Sequence, residues 1–292
     1  MNKKLNYTIH RFQTKDNITL TGLLNKSNSK INQETIIIHI HGMCSDLLSN
    51  SGQLIAEAAN KSKISAFLIN TRGHGIVSSF KKINKNKTKS YITAGTAFEN
   101  FEDSEFDINS AIKYLKTLGY KKIILSGHST GCQKITNYQI NNLKNKTIKS
   151  LILLSPGDDL NIEKKEKKEK FSETLKFAKI KINSKILFHT EDFGILSAKR
   201  FYNLFKKTSI EGNLFNYKKN LNHLNQITIP TLSIIGKQDP YFLDQKKASI
   251  NIAQNLTNKL SQSKLIEGNH TFYQNEIQVK KEITQFLKSI QK

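Results

Sequence analysis

Several stretches of the chain are aliphatic without polar alternation: Glu34–Ile40, Ile64–Asn70, the run leading from Lys121 into Gly127, and Ile148–Leu154. Apolar runs this short, rich in β-branched residues, predict strands buried on both faces of a parallel sheet. Residues 7–24 follow a different rule. Tyr7, Ile9 and Phe12, then Ile18, Leu20 and Gly22, alternate with polar residues around a turn at Lys15-Asp16-Asn17. That pattern predicts an antiparallel hairpin. Between the strands lie segments of helical character. Ser51–Lys61 is one. In Phe101–Leu118, the residues Phe106, Ile108, Ala111, Ile112, Leu115 and Leu118 fall near helical spacing, and Gly119 supplies a C-cap. A third helix runs from Thr130 to about Leu143. Residues 76–95 are polar and lysine-rich and read as a loop.

The strand–helix rhythm stops at residue 158 and returns at Pro230. Pro230–Pro240 predicts a strand and its following loop, Asp244–Leu256 a helix, Lys264–His270 a short last strand, and Phe272 onward a terminal helix. Strands alternating with helices imply an α/β fold with a mainly parallel central sheet flanked by helices. Residues 1–157 and 227–292 form its core, and residues 158–226 form a lysine-rich helical cap insertion. In the cap, Asn161–Lys179 reads as one charged helix and Ser197–Lys206 as a second. Its Phe171, Leu175, Phe177, Phe188, Phe193 and Phe201 either line an acyl or aromatic pocket or pack the cap onto the sheet.

At 292 residues the chain can bury a full core. No apolar run approaches the roughly 20 residues of a membrane span. Lys3 and Lys4 are not followed by an apolar segment, so no signal peptide is expected. Cys44 and Cys132 make neither a metal spacing nor a disulfide framework, which predicts a reduced, cytoplasmic protein. The net charge of +23 raises the question of nucleic acid. The only arginines are Arg11, Arg72 and Arg200, however, and abundant Lys, Asn and Ile point to an AT-rich coding bias. Specific readers of nucleic acid lean on arginine for bidentate contacts, so no nucleic-acid partner is expected. The runs Lys81–Lys89 and Lys164–Lys170 read as a solvated loop and a solvated helix face. No feature of the sequence specifies an oligomeric state.

The strand entering Gly127 runs directly into Gly127-His128-Ser129-Thr130-Gly131, a G-x-S-x-G turn between a strand and a helix. Such a turn exposes the serine at the carboxyl edge of the sheet, where ligands of α/β sheets bind. A serine hydroxyl needs an adjacent base, and the base needs a carboxylate to orient it. In chain order Ser129, Asp239 and His270 each follow a predicted strand. Each has a purely structural competitor: Ser129 as a helix N-cap, Asp239 as a turn cap before Pro240, and Asp158 or Asp159 as the acid instead. Met43 and Thr130 are the expected backbone donors to an oxyanion. His41 and Gly42 shape the first of these loops, and Gly127, His128 and Gly131 support the second. His39, inside a strand, reads as buried structure, Arg72 and His74 as ties of a turn, and Cys44 and Cys132 as small buried thiols. This chemistry needs no metal and no organic cofactor.

His41-Gly42, Asn70 to Gly75, Gly127 to Gly131, Gly236-Lys237-Gln238-Asp239 and Gly268-Asn269-His270 occur in the order of the α/β-hydrolase superfamily, and the chain resembles that superfamily over about residues 7–290. Gly127–Gln133 (Gly-His-Ser-Thr-Gly-Cys-Gln) is similar to the elbow of the DUF1749 group, which includes fungal siderophore esterases acting on fusarinine-type ornithine esters. Gly95–Asp107 and Ser197–Phe205 are similar to it as well. The resemblance implies a triad of Ser129, Asp239 and His270. Asn70 stands where the superfamily often has aspartate, at a structural position. The residues and the resemblance together predict a serine hydrolase that cleaves a carboxylic ester of a small molecule through an acyl-enzyme. A thioesterase, amidase or acyltransferase would use the same residues, and a ligand-binding protein on the same fold is the non-catalytic alternative.

Overall fold

The computed structural model describes residues 5–29 and 31–291; Lys3 and Lys4 lie outside them. Each aliphatic run of the sequence acquires a neighbour on both sides, because a strand apolar on both faces is stable only inside a covered sheet. The hairpin β1 (Thr8–Gln13) and β2 (Thr19–Asn25) forms one edge, turning at Asn17, which has φ 65°. Next in chain order come β3 (Thr35–Ile40), helix α1 (Asn50–Lys61) and β4 (Ser65–Asn70). After β4 the chain forms β5 (Ser78–Ile83) and β6 (Lys89–Ala94), then α2 (Ser104–Thr117), β7 (Lys122–His128), α3 (Thr130–Asn141) and β8 (Ile148–Leu154). Among the described residues the main sheet has eight strands. It is completed late in the chain by β11 (Thr231–Gly236) and β12 (Gln262–Ile266), in the order β1-β2-β4-β3-β7-β8-β11-β12. From β4 to β12 every pairing is parallel.

Strand β3 shows why the run had to be continuously apolar. Ile36, Ile38 and Ile40 join the cluster under α2 and α3, while Ile37 joins the cluster under α1. Helix α8 (Gln245–Asn255) adds Ala248 and Ile252 to the first cluster, and α9 (Glu276–Ser289) adds Val279, Ile283, Phe286 and Leu287 to the second. His39 breaks the aliphatic run but is buried, exchanging hydrogen bonds with Ser126 and Ser51 at 3.1 Å each. Helix α2 ends at Gly119, whose φ of 92° lets the chain leave in the left-handed region. Among the described residues no helix is long and apolar enough to cross a membrane.

Two segments differ from the sequence-based expectation. Residues 76–95 are not a loop: β5 and β6 pair as an antiparallel hairpin. Phe80 and Ala94 are its buried core residues, Ile92 packs half-buried against the same core, and Lys81 and Lys82 are half-buried, so its apolar signal is too sparse to read. The charged stretch Asn161–Lys179 is two helices, α4 (Asp159–Lys167) and α5 (Lys170–Ile180), broken at Lys168 with φ 48°. They are followed by a second unforeseen hairpin, β9 (Leu187–Thr190) with β10 (Gly194–Ser197), and by α6 (Ala198–Phe205) and α7 (Ile210–Leu214). Residues 158–226 add no strand to the main sheet. Up to Phe205 they build a separate cluster around Phe171, Phe193, Phe201 and Phe205, against which Met43 and Tyr241 pack. Leu214, Phe215, Tyr217, Leu221 and Leu224 return to the main core.

Buried charges join these layers. Lys134 of α3 donates to Glu99 at 2.8 Å, and Arg200 of α6 reaches Glu99 at 3.4 Å and Glu211 of α7 at 2.5 and 2.7 Å. All four side chains are almost fully buried, and their formal charges cancel. Arg72 makes a second network, with Asp107, Asp16 and Asp103, tying the first hairpin to α2. Removing one member of a buried pair strands the other. Arg200→Met is therefore expected to lower stability by about 3–5 kcal/mol, measured by urea unfolding.

Candidate active site

Three glycines shape the turn after β7. A Cβ on Gly127 would lie 2.4 Å from the carbonyl carbon of Gly131, and one on Gly131 would lie 2.2 Å from the Ile40 oxygen. Strand β7, helix α3 and strand β3 thus meet backbone to backbone. A Cβ on Gly42 would approach Ser129 Cβ to 2.9 Å. Between these contacts Ser129 adopts φ 52° and ψ −126°, and its amide donates to Leu154 O at 2.9 Å. A non-glycine residue held there costs on the order of 1–3 kcal/mol, a strain that recurs at functional sites. The Ser129 side chain does not cap α3, so the N-cap role is not the one it plays.

Asp239 and His270 come from the loops after β11 and β12. Gly236 permits that crossing, since a Cβ there would lie 2.3 Å from Gly268 O. The Asp239 carboxylate is fully buried and accepts from His270 Nδ1 at 2.9 and 3.0 Å, and from the Tyr241 amide at 3.0 Å. With Nδ1 carrying the proton of the neutral ring, Nε2 is left as an acceptor. Asp158 is engaged elsewhere. It caps α4 through the Asn161 amide and also accepts from Asn161 Nδ2 and the Tyr217 amide. Asp159 accepts from Gln133 Nε2 at 3.3 Å, and burial together with Glu211 pushes its carboxyl pKa up.

Ser129, His270, Met43 and Thr130 line one cavity of about 190 Å³, with Gly42 and His128 in its wall. The supporting histidines are structural. His41 Nε2 accepts from the Thr71 amide at 3.2 Å, so its Nδ1 carries the proton and donates to Gly42 O at 2.8 Å. His128 Nε2 donates to the His270 carbonyl at 2.9 Å, tying the elbow strand to the histidine loop. Burial lowers the pKa of each from the ordinary 6.5 to about 4. Asn70 Oδ1 accepts from the Leu47 amide at 2.8 Å, a contact that anchors the loop between Met43 and α1. Arg72 is buried in its ion-pair network, and His74 Nδ1 lies 3.1 Å from Thr71 O within the turn.

The two thiols part company. Cys132 is buried and donates to Gly127 O at 3.1 Å and Leu154 O at 3.3 Å. Cys44 is not a buried thiol: it is exposed at the cavity, in the left-handed region at φ 54°, with its Sγ 3.6 Å from Phe193 O. Of the six aromatic and aliphatic cap residues singled out from the sequence, Phe193 alone lines the cavity. Phe171 and Phe201 are buried in the separate cluster around Phe205, Leu175 and Phe188 pack against it, and Phe177 is exposed. Sequence reasoning missed Tyr241 and Asp192, both in the cavity wall. Tyr241 was findable, two residues beyond Asp239. Asp192 was not, because its hairpin carries no alternation long enough to read. Among the described residues no three His, Cys, Asp or Glu side chains are grouped to hold a metal ion.

A mostly parallel eight-stranded sheet with helices on both faces and a serine elbow at its carboxyl edge is the α/β-hydrolase fold. The chain belongs to the family described as Protein of unknown function (DUF1749), whose model matches residues 77–249. Among solved structures it is similar to the Pyrococcus furiosus esterase Pf2001, at TM-score 0.61 and 18% identity, covering 98% of this chain and 91% of that one. It is also similar to Est1E from Butyrivibrio proteoclasticus with bound ferulic acid (0.66, 17%, 96% and 99%). A third similar structure is the siderophore hydrolase EstB from Aspergillus fumigatus (0.65, 15%, 99% and 98%). A comparison with curated proteins gives no match.

The buried histidines make a pH prediction. Below pH 6.5 the unfolded chain takes up protons that His41 and His128 refuse until about pH 4. Their contribution to stability is complete above 6.5 and is lost as pH falls through that window, by at most about 1.4 kcal/mol per pH unit for each histidine. Buried carboxyls with raised pKa, such as Asp159, act in the opposite sense, so the comparison is with a variant. His128→Gln, which keeps a donor toward His270 O, should show a smaller loss of urea stability than wild type between pH 6.5 and 4.

Proposed function

We propose that this protein is a serine hydrolase that cleaves carboxylic esters of small molecules through an acyl-enzyme. The observation that carries the reading is the buried Asp239 carboxylate against His270 Nδ1, beside a cavity shared with the strained Ser129. In this reading His270 Nε2 takes the Ser129 proton as Oγ attacks the ester carbonyl carbon. Asp239 holds the ring and balances the imidazolium. The backbone N–H groups of Met43 and Thr130 receive the oxyanion, the latter at the N-terminus of α3. The tetrahedral adduct collapses, the C–O bond breaks, and His270 returns the proton to the departing alcohol. Water then repeats the sequence on the acyl-enzyme and releases the acid.

Further support comes from the likeness to proteins described as esterases and as a siderophore hydrolase, whose fold this chain shares. Residues 158–226 act in this reading as a cap that limits what reaches Ser129, chiefly through the hairpin tip at Asp192 and Phe193. The cap shapes substrate choice, and the core supplies the chemistry.

A fluorophosphonate probe is expected to label the wild-type protein and not Ser129→Ala; equal labelling of both removes Ser129 as the nucleophile. Ser129→Ala and His270→Ala should each lower kcat for p-nitrophenyl acetate by about 10⁴-fold or more. Asp239→Asn should cost about 10⁴-fold in kcat by loss of the correct tautomer. If Asp158→Asn is the crippling acid change instead, the assignment of Asp239 fails.

A further inference from the structure

The chain carries 46 lysines and arginines against 23 acidic residues, yet among the described residues no lysine or arginine lines the cavity over Ser129. Among the described residues the one acidic residue in its wall is Asp192, at the tip of the β9–β10 hairpin. Among the described residues it belongs to no ion pair, and the attraction of Lys165 is the weakest influence on it. An anionic substrate would meet this carboxylate with no lining cation to offset it. A neutral substrate would leave it without a function in the cavity.

The surroundings of Asp192 suit a positive charge. Phe193 and Tyr241 stand next to each other, with ring centroids 6.0 Å apart, and both line the cavity. Aromatic faces attract ammonium groups through the ring quadrupole. The tip is held in place as well: Tyr241 Oη donates to the Asp192 carbonyl at 3.0 Å. The same tyrosine ring packs on His270, with centroids 4.3 Å apart. One tyrosine therefore spans the gap between the imidazole and the acidic tip, which sets the reach required of a substrate. Burial, and after it Glu166 and Glu191, raise the Asp192 carboxyl pKa, a repulsion that a bound cation relieves.

We propose that Asp192, Phe193 and Tyr241 form a cation subsite, so that the substrate is an ester carrying an ammonium group a few bonds from the scissile carbonyl. This rests on the hydrolase reading of Ser129 and His270. Acetylcholine and 3,3-dimethylbutyl acetate test it, because the second replaces the quaternary nitrogen by carbon at nearly constant shape. They serve as probes, and the acid released is followed by pH-stat titration. The wild-type protein should show kcat/KM at least about tenfold higher for the charged ester, the scale of one cation–π and carboxylate contact. Asp192→Asn should reduce that ratio about tenfold, and Asp192→Lys should invert it. Equal turnover of both esters by wild type, or an unchanged ratio in Asp192→Asn, overturns the cation subsite and leaves the hydrolase standing. Turnover of neither, with no fluorophosphonate labelling, overturns both.

Discussion

The close backbone contact between strands β3 and β7 and the start of helix α3 is the constraint on which the rest depends. Gly131 sits against Ile40 O, and Gly127 against Gly131, at separations that leave no room for a Cβ. Two central strands and the helix that follows β7 are thereby locked at the carboxyl edge of the sheet. The chain can turn there only by putting Ser129 in the left-handed region, which faces its side chain into the cavity. The local strain is offset by the packing of two apolar clusters on either side of the sheet.

A second constraint is electrical. Helix α3 carries Lys134, buried one turn beyond the elbow, and α6 carries Arg200; Glu99 accepts from both. Charges are costly to bury, and a pair is tolerated only when geometry and hydrogen bonding are good. The chain of Lys134, Glu99, Arg200 and Glu211 meets that condition with a net charge of zero. It connects the helix behind Ser129 to α6 and α7, so the placement of those two helices is specified by directional contacts and not by apolar packing alone. The large positive charge of the protein is left on the surface, and among the described residues the cavity wall holds one acidic residue, Asp192.

Much of this was legible in the chain. The buried strands announced themselves because a strand covered on both faces must be aliphatic at every position, as in Ile36 to Ile40. Helix α2 was legible from its apolar spacing and its glycine stop. The hairpins β5–β6 and β9–β10 were not. Each buries only one or two side chains per strand, Phe80 and Ala94 in the first and Thr190, Leu196 and Ser197 in the second, too few to repeat as a hydropathy pattern. The break at Lys168 was hidden for the same reason, since nothing in a run of Lys and Glu marks where a solvated helix must stop.

The sequence by itself determined the order of the main-sheet strands and of the helices between them, the glycine spacing of the elbow, and a short set of serine, acids and histidines at strand ends. Those features are local, and periodicity or steric exclusion writes them into neighbouring residues. Which acid meets His270 was decided only in three dimensions, where Asp158 caps a helix and Asp239 turns inward. The exposure of Cys44, the arrival of Asp192 and Tyr241 at the cavity, and the buried charge chain were decided there too. These depend on segments far apart in the chain packing side by side, and no pattern along one segment records what another will bring to it.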